Sequence, residues 1–293
     1  MTLTLRLFVA LAISLSSSVA SAEQPLLVPA WQTTTSFDQP ESVVLSNDGQ
    51  YLFVSNVNGD PSQADGNGYI STLSLSGEIM EQQWLTGLDA PKGMTVVGDT
   101  LYVADINQLV VIDIKTKKIS HRYSAPKAKF LNDVAADDAG NVYVSGFLTN
   151  SIYRLNKQSF TLWIQDEQLE VPNGLLVENN QLIVGSWGVM TDGFATTTAG
   201  HLKTIDISSK QIASLGDKTP AGNLDGVEID GNGNYYVSDW MTGKLLHIQP
   251  SGISTTLLQL EQGSADHTVL AKQKLVIIPM MLSGNVVAYQ IKQ

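Results

Sequence analysis

The sequence contains no cysteine, which excludes a disulfide framework, a thiolate metal site and a cysteine nucleophile. Positive charge is scarce as well: 17 lysines and arginines stand against 28 aspartates and glutamates, a formal net charge of −11. Phosphate-rich partners need the opposite sign, so nucleic acid and anionic membranes are poor candidates. No G-x-x-x-x-G-K-[ST] loop occurs, so nucleotide binding has no motif behind it. Beyond the N-terminal leader, no stretch carries the 3.6-residue period of a long amphipathic helix, which leaves a β-rich chain. Without disulfides, its stability has to come from a large core.

What is present begins with Arg6, the apolar run Leu7-Phe8-Val9-Ala10-Leu11-Ala12-Ile13, and Ala20-Ser21-Ala22. This is the pattern of a secretory signal peptide with an A-x-A cleavage site, and the run falls short of the roughly 20 apolar residues that span a bilayer. With no cysteine at the cut, a lipid anchor is excluded. Residues 1–22 are therefore expected to be removed, leaving 23–293 as a single domain in the periplasm or outside the cell. Cleavage takes away Arg6 and no acid, so 16 basic residues remain against 28 acidic ones, a net charge of −12.

One phrase recurs six times: a short anchor, a few apolar residues, a turn, then a run rich in Val, Tyr and Ile. The copies pair Pro40-Glu41-Ser42-Val43 with Tyr51-Leu52-Phe53-Val54, and Pro91-Lys92-Gly93-Met94 with Leu101-Tyr102-Val103. Leu131-Asn132-Asp133-Val134 goes with Val142-Tyr143-Val144, and Pro172-Asn173-Gly174-Leu175 with Leu182-Ile183-Val184. Last come Leu224-Asp225-Gly226-Val227 with Tyr235-Tyr236-Val237, and Ala265-Asp266-His267-Thr268 with Leu275-Val276-Ile277-Ile278. Each unit adds a third alternating run, such as Leu109-Val110-Val111-Ile112. Turn signals lie between, as in Asn47-Asp48-Gly49, Asp138-Ala139-Gly140 and Asn232-Gly233. Short period-2 strands in units of about 40 residues are propeller blades, and they are too long for the repeats of a parallel β-helix. The expectation is an all-β, six-bladed β-propeller with a metal on the central axis. The last copy ends near the C-terminus, so the segment Leu26 to Thr35 is expected to supply a strand that closes the ring.

In a propeller the anchors precede the innermost strands, which points equivalent side chains at one mouth of the channel. Those positions are Glu41, Lys92, Asn132, Asn173, Asp225 and Asp266. Four of them, Glu41, Asn132, Asn173 and Asp225, offer oxygen without sulfur or imidazole. Two carboxylates and two amides suit Ca2+ or another hard divalent cation, whereas zinc or copper would call for histidine or cysteine. Asn-Gly and Asp-Gly are also ordinary turn pairs, but glutamate after proline is not.

At these residues the sequence resembles the regucalcin, gluconolactonase and sugar-lactone lactonase family, and more distantly the paraoxonases. The resemblance implies a calcium ion held by Glu41 in Pro40-Glu41, Asn132 in Leu131-Asn132-Asp133, Asn173 in Pro172-Asn173-Gly174 and Asp225 in Leu224-Asp225-Gly226. It also implies calcium-assisted hydrolysis of a lactone or related ester, with Asp225 as general base. Lys92 stands where paraoxonase-like enzymes carry a histidine, so a histidine relay of that type is not expected.

Asp133 is a second candidate base, and Lys92 a candidate for orienting the substrate through its ammonium group. Asp266 and His267 are expected to face the mouth, while His121, His201 and His247 read as packing or surface residues. The two intervals above 50 residues between anchors reflect long loops, Val57 to Gly68 and Gly188 to Gly200, which should cover the mouth. Phe147, Trp187, Met190, Trp240 and Met280, with Phe194 from the second loop, are expected to form an apolar wall around the ion. The partner is then a small lactone or ester met by a monomer. The competing reading is a binding propeller in which calcium only braces the axis.

Overall fold

The computed structural model describes residues 24–292, so the leader lies outside the described residues. Six four-stranded antiparallel sheets surround an axis. The first comprises Pro40–Leu45, Tyr51–Asn56, Gly68–Ser74 and Ile79–Leu88, and the second Pro91–Val97, Thr100–Asp105, Gln108–Asp113 and Lys118–Ser124. The third is built from Leu131–Ala136, Val142–Gly146, Ser151–Asn156 and Ser159–Gln165. Pro172–Glu178, Gln181–Ser186, Leu202–Asp206 and Ile212–Ser214 form the fourth. It carries an inserted hairpin of Gly188–Met190 and Thr196–Ala199, which is the second long loop. The fifth comprises Leu224–Ile229, Tyr235–Asp239, Lys244–Ile248 and Ser254–Gln259.

The sixth blade takes Thr268–Leu270, Leu275–Met280 and Asn285–Lys292 from the C-terminal end. Its outer strand is Leu26–Gln32 from the other end of the chain, pairing Leu26 with Lys292 and Gln32 with Val287. The ring is thus closed where the sequence placed its closure. Among the described residues the only helical pieces are two 3-10 turns, Phe147–Thr149 and Glu167–Leu169.

The second strands read as unbroken apolar runs because both faces of each blade are covered. Leu52 and Val54 pack toward the sixth blade, with Ile277, Val286 and Ala288. Phe53, one residue out of phase, packs toward the second, with Met94, Leu101 and Val103. Period-2 alternation sends each strand's odd and even side chains into different interfaces. Every fully buried Leu or Phe in them stabilises the ring by about 1.5–3 kcal/mol.

A repeated irregularity aims the axial side chains. Between inner and second strand the register slips by one residue in each blade, at Pro40/Val43, Pro91/Met94, Leu131/Val134, Pro172/Leu175 and Leu224/Val227. In the sixth, Ser264 bridges Met280 while Thr268 pairs with Ile277, the same one-residue slip. Such a bulge leaves a residue out of the ladder and turns its neighbour's side chain. Three of the freed amides find a serine on the second strand: Ser42 N–H donates to Ser55 Oγ at 2.9 Å, Asp133 N–H to Ser145 Oγ at 2.8 Å and Gly226 N–H to Ser238 Oγ at 2.8 Å.

The Asn-Gly and Asp-Gly pairs of the anchors are not turns. Gly174 and Gly226 lie inside strands without positive φ, whereas the turn glycines Gly49, Gly140 and Gly233 have φ of 70°, 80° and 86°. The strand glycines are there for space, since a Cβ on Gly174 would overlap the Asp225 carbonyl of the next blade.

Candidate metal and substrate site

The inner strands of five blades send Glu41, Lys92, Asn132, Asn173 and Asp225 to the wall of one cavity of about 220 Å³ at the mouth of the axis. All five side chains are buried, with Asn173 and Lys92 each 1% exposed. Oε2 of Glu41 and Oδ1 of Asn173 have no hydrogen-bond partner. Leaving such atoms unpaired costs about 1–3 kcal/mol each. Burial pushes the Glu41 carboxyl well above the usual carboxylate range, and the nearby Asp225 adds to the shift. Asp225 is likewise raised, by burial and then by Asp133, while a hydrogen bond from Asn173 opposes the rise. Two crowded acids and an orphaned amide oxygen are a donor set that a hard divalent cation would satisfy. Among the described residues no group of three or more His, Asp and Glu is disposed to hold a metal. The candidate cation site therefore rests on two carboxylates and two amides.

Lys92 lines the cavity with two of its three ammonium protons already engaged. Its Nζ donates to the carbonyls of Pro61 at 2.8 Å and Ala90 at 2.9 Å, and lies 4.3 Å from the centre of the Phe130 ring. Burial lowers its pKa to about 8, and Glu41 works against the fall. The lysine acts as a brace between the first long loop and the acidic mouth.

The remaining candidates divide between the mouth and a second cavity along the axis. Asp133 does not reach the mouth: Oδ1 accepts the Val134 N–H and Oδ2 the Leu175 N–H, both at 2.6 Å. It lines a second axial cavity of about 160 Å³, toward the other ends of the inner strands, together with Asp266, His267 and Glu228. Asp266 and His267 thus depart from the expectation that they face the mouth, for a reason of register. Ser264, which bridges Met280, is the counterpart of Pro40, which pairs with Asn56. The sixth mouth position is therefore Ala265, and Asp266 aligns with Asp133. Burial pushes the Asp133 carboxyl up to about 6 and the His267 imidazole down to about 3.

The same one-residue offset corrects Met280. The residues that follow the second strands hang their N–H groups on carbonyls just before the inner strands: Phe147 on Phe130 at 3.1 Å, Trp187 on Val171 at 2.9 Å, Trp240 on Asn223 at 3.1 Å and Met281 on Gly263 at 2.8 Å. Met281 is the counterpart of Phe147 and lines the cavity with Leu282. Met280 instead packs with Leu27, Tyr236 and Ile278 between blades. Met190 packs against the Phe147, Val171 and Trp187 cluster without lining the cavity.

Phe147, Trp187, Phe194 and Trp240 do line it, joined by Phe130, Gln39 and Pro61. The last three precede inner strands or lie in a loop, where no sequence pattern marks them. Gln39, Phe130 and Val171 hold left-handed φ of 56°, 61° and 63°. Three strained non-glycine residues at equivalent places beside the mouth are backbone held in an uncommon well by the surrounding bonds.

Fold and cavity together define a six-bladed propeller with an oxygen-donor site at one mouth of its axis. The family model described as SMP-30/Gluconolactonase/LRE-like region matches residues 39–268, and the chain belongs to that family. No curated protein matches the sequence. Among solved structures, a catalytically inactive virginiamycin B lyase from Staphylococcus aureus with quinupristin is similar at 14% identity and a TM-score of 0.62, covering 92% of this chain and 99% of that one. A streptogramin B lyase gives 14% identity and 0.64, covering 92% and 98%. A protein of unknown function from Bacteroides thetaiotaomicron gives 12% and 0.66, covering 89% and 71%. Likeness at such identities is one of fold.

Proposed function

We propose that the protein is an exported, calcium-dependent hydrolase of lactones or related esters. The observation that carries this reading is the convergence of Glu41, Asn132, Asn173 and Asp225 on one buried cavity, with Glu41 Oε2 and Asn173 Oδ1 left without partners. Family membership supports the reaction class, and the leader pattern of residues 1–22 supports export. A small neutral substrate suits a cavity of this size, and a monomer suffices because one chain supplies every donor.

Glu41 and Asp225 would hold the cation through charge, Asn132 and Asn173 through neutral carbonyl oxygens. The bound ion would supply polarisation of the acyl oxygen and stabilise its developing negative charge. Water adds to the acyl carbon, the acyl–oxygen bond breaks, and the departing alkoxide takes a proton. Asp225 is the base best placed to accept the water proton. Asp133 is held by two backbone N–H groups outside the mouth, and Lys92 is held by two carbonyls. The aromatic wall would limit the water that reaches the acyl group.

The engagement of Asp133 and Lys92 also favours a second reading, a binding propeller that calcium braces. A panel of sugar lactones, aliphatic lactones and aryl esters, assayed with calcium and again with chelator, separates the two. Turnover lost on chelation and in Asn173→Ala is expected of the hydrolase. Stabilisation by calcium with no turnover of any panel member would leave only the binding propeller.

A further inference from the structure

The cavity that holds the four oxygen donors is walled on the side of the third to sixth blades by Phe130, Phe147, Trp187, Phe194, Trp240 and Leu282. These rings touch one another. Phe147 lies 5.4 Å from Trp187 and 5.6 Å from Phe130, Trp187 lies 6.1 Å from Trp240, and Phe194 lies 6.1 Å from both Phe130 and Phe147. Rings in mutual contact form a continuous wall, not a cage with an empty centre of the kind that surrounds a quaternary ammonium group.

Most of the polar groups beside that wall are already engaged. Lys92 Nζ donates to Pro61 and Ala90, Gln39 Oε1 accepts the Gly59 N–H at 2.6 Å, and the Trp187 indole N–H donates to the Phe194 carbonyl at 2.8 Å. That leaves Gln39 Nε2, the Trp240 indole N–H and the third proton of the Lys92 ammonium to meet hydroxyl groups away from the four donors, none of them belonging to the aromatic wall formed by Phe147, Trp187 and Phe194. A sugar lactone carries several hydroxyls, and burying each without a partner is unfavourable. Phe194 and Leu282 at the rim are 44% and 55% exposed, apolar surface that a ligand would take out of water. The volume, about 220 Å³, exceeds the roughly 150 Å³ that suffices for benzene.

We infer that the substrate of this site is an apolar lactone or ester, with an aromatic ring or a short alkyl chain against the wall, and not a polyhydroxylated sugar lactone. This rests on the hydrolase reading of the same cavity and adds what stands beside the scissile bond. A cation held by the four donors would polarise the acyl oxygen, and the wall of Phe147, Trp187 and Phe194 takes the ring or chain. Discrimination comes from the penalty on unpaired hydroxyls more than from any contact that selects the apolar group.

The test uses the calcium-loaded protein with three probes: dihydrocoumarin, δ-nonalactone and D-glucono-δ-lactone. The expected result is kcat/KM for one or both apolar lactones at least tenfold above that for the sugar lactone. Phe194→Ser, a change at the rim, is expected to lower the apolar value about fivefold, mainly through KM, and to leave the sugar value within twofold. Tryptophan fluorescence titrated with the hydroxy acid made from dihydrocoumarin gives a readout that needs no turnover, because Trp187 and Trp240 line the cavity. A preference for the sugar lactone would overturn the inference while leaving the hydrolase reading intact, as would an apolar kcat/KM unchanged in Phe194→Ser. Absence of turnover with saturable quenching, weakened in Phe194→Ser, would uphold the apolar ligand class and sink the hydrolase. Absence of both would end both readings.

Discussion

Ser42 donates its hydroxyl proton to Asp266 Oδ2 at 2.6 Å, a bond between the first and last blades at the axis. The same seam carries the Val43 N–H to the Asp266 carbonyl at 3.2 Å and the Asp266 N–H to the Glu41 carbonyl at 2.9 Å. Glu41 is thus positioned from across the closure of the ring. Ser42→Ala should leave a buried carboxyl without its donor, which costs about 1–3 kcal/mol. Thermal unfolding should show that loss, and a calcium titration should show weaker binding although no ligand oxygen has been removed. Unchanged calcium affinity would mean that the seam holds the blades without placing Glu41.

Replacing a charged donor should separate stability from binding. In the cation-free protein Asp225 is a buried acid crowded by Asp133, so Asp225→Asn relieves repulsion and should keep or raise the melting temperature in chelator. Calcium should then add little. For the unaltered protein, 100 times Kd of a ligand bound only by the folded state contributes about 2.7 kcal/mol. Scanning calorimetry of both proteins, with calcium and with chelator, checks the pair of signs. An equal calcium shift in Asp225→Asn would remove Asp225 from the ligand set.

The propeller was legible because β-branched and aromatic runs recur between turn residues at a spacing that only blades fit. The four donors were legible because proline or leucine marks the start of each of their strands, at Pro40, Leu131, Pro172 and Leu224. The sixth blade has Ser264 in that place, bridged to Met280, with no such mark. Ala265-Asp266-His267 therefore reads one residue out of step, and the error carries Asp266, His267 and Met280 to the wrong places. A bulge breaks the two-residue side-chain period, so periodicity alone does not locate it. Phe130, Gln39 and Leu282 come to the cavity through loop geometry that depends on the closed ring.

The second axial cavity should make the cation-free protein sensitive to alkali. Burial raises Asp133 from 3.8 to about 6 and Glu228 from 4.5 to about 7, while Thr268 Oγ1, donating to Glu228 Oε1 at 3.2 Å, opposes the second shift. Acids whose folded values are raised hold their protons to a higher pH folded than unfolded. Their contribution is present in full below the unfolded values and is lost as pH climbs through about 6 and then about 7. Denaturant midpoints in chelator should therefore fall between pH 5 and pH 8. Glu228→Gln should remove part of that fall, on the order of 2 kcal/mol. A midpoint flat across that window would show that these carboxyls ionise without penalty.

Gly174 tests whether the mouth depends on close approach of neighbouring inner strands. A Cβ there would overlap the Asp225 carbonyl and lie 3.0 Å from Val227 Cγ2, and both of those atoms belong to the next blade. The backbone on either side is tied into strands, so the overlap has to be relieved by moving Asn173 away from Asp225. Gly174→Ala should cost at least about 2 kcal/mol, toward the upper range for overpacking, and should weaken calcium binding more than its stability loss alone would. Gly49→Ala is the control: it strains a turn with φ of 70° but meets nothing within 4 Å, so it should lower stability without touching calcium affinity. If the two variants lose stability alike and bind calcium alike, the separation of Asn173 and Asp225 is not what sets the affinity of the mouth.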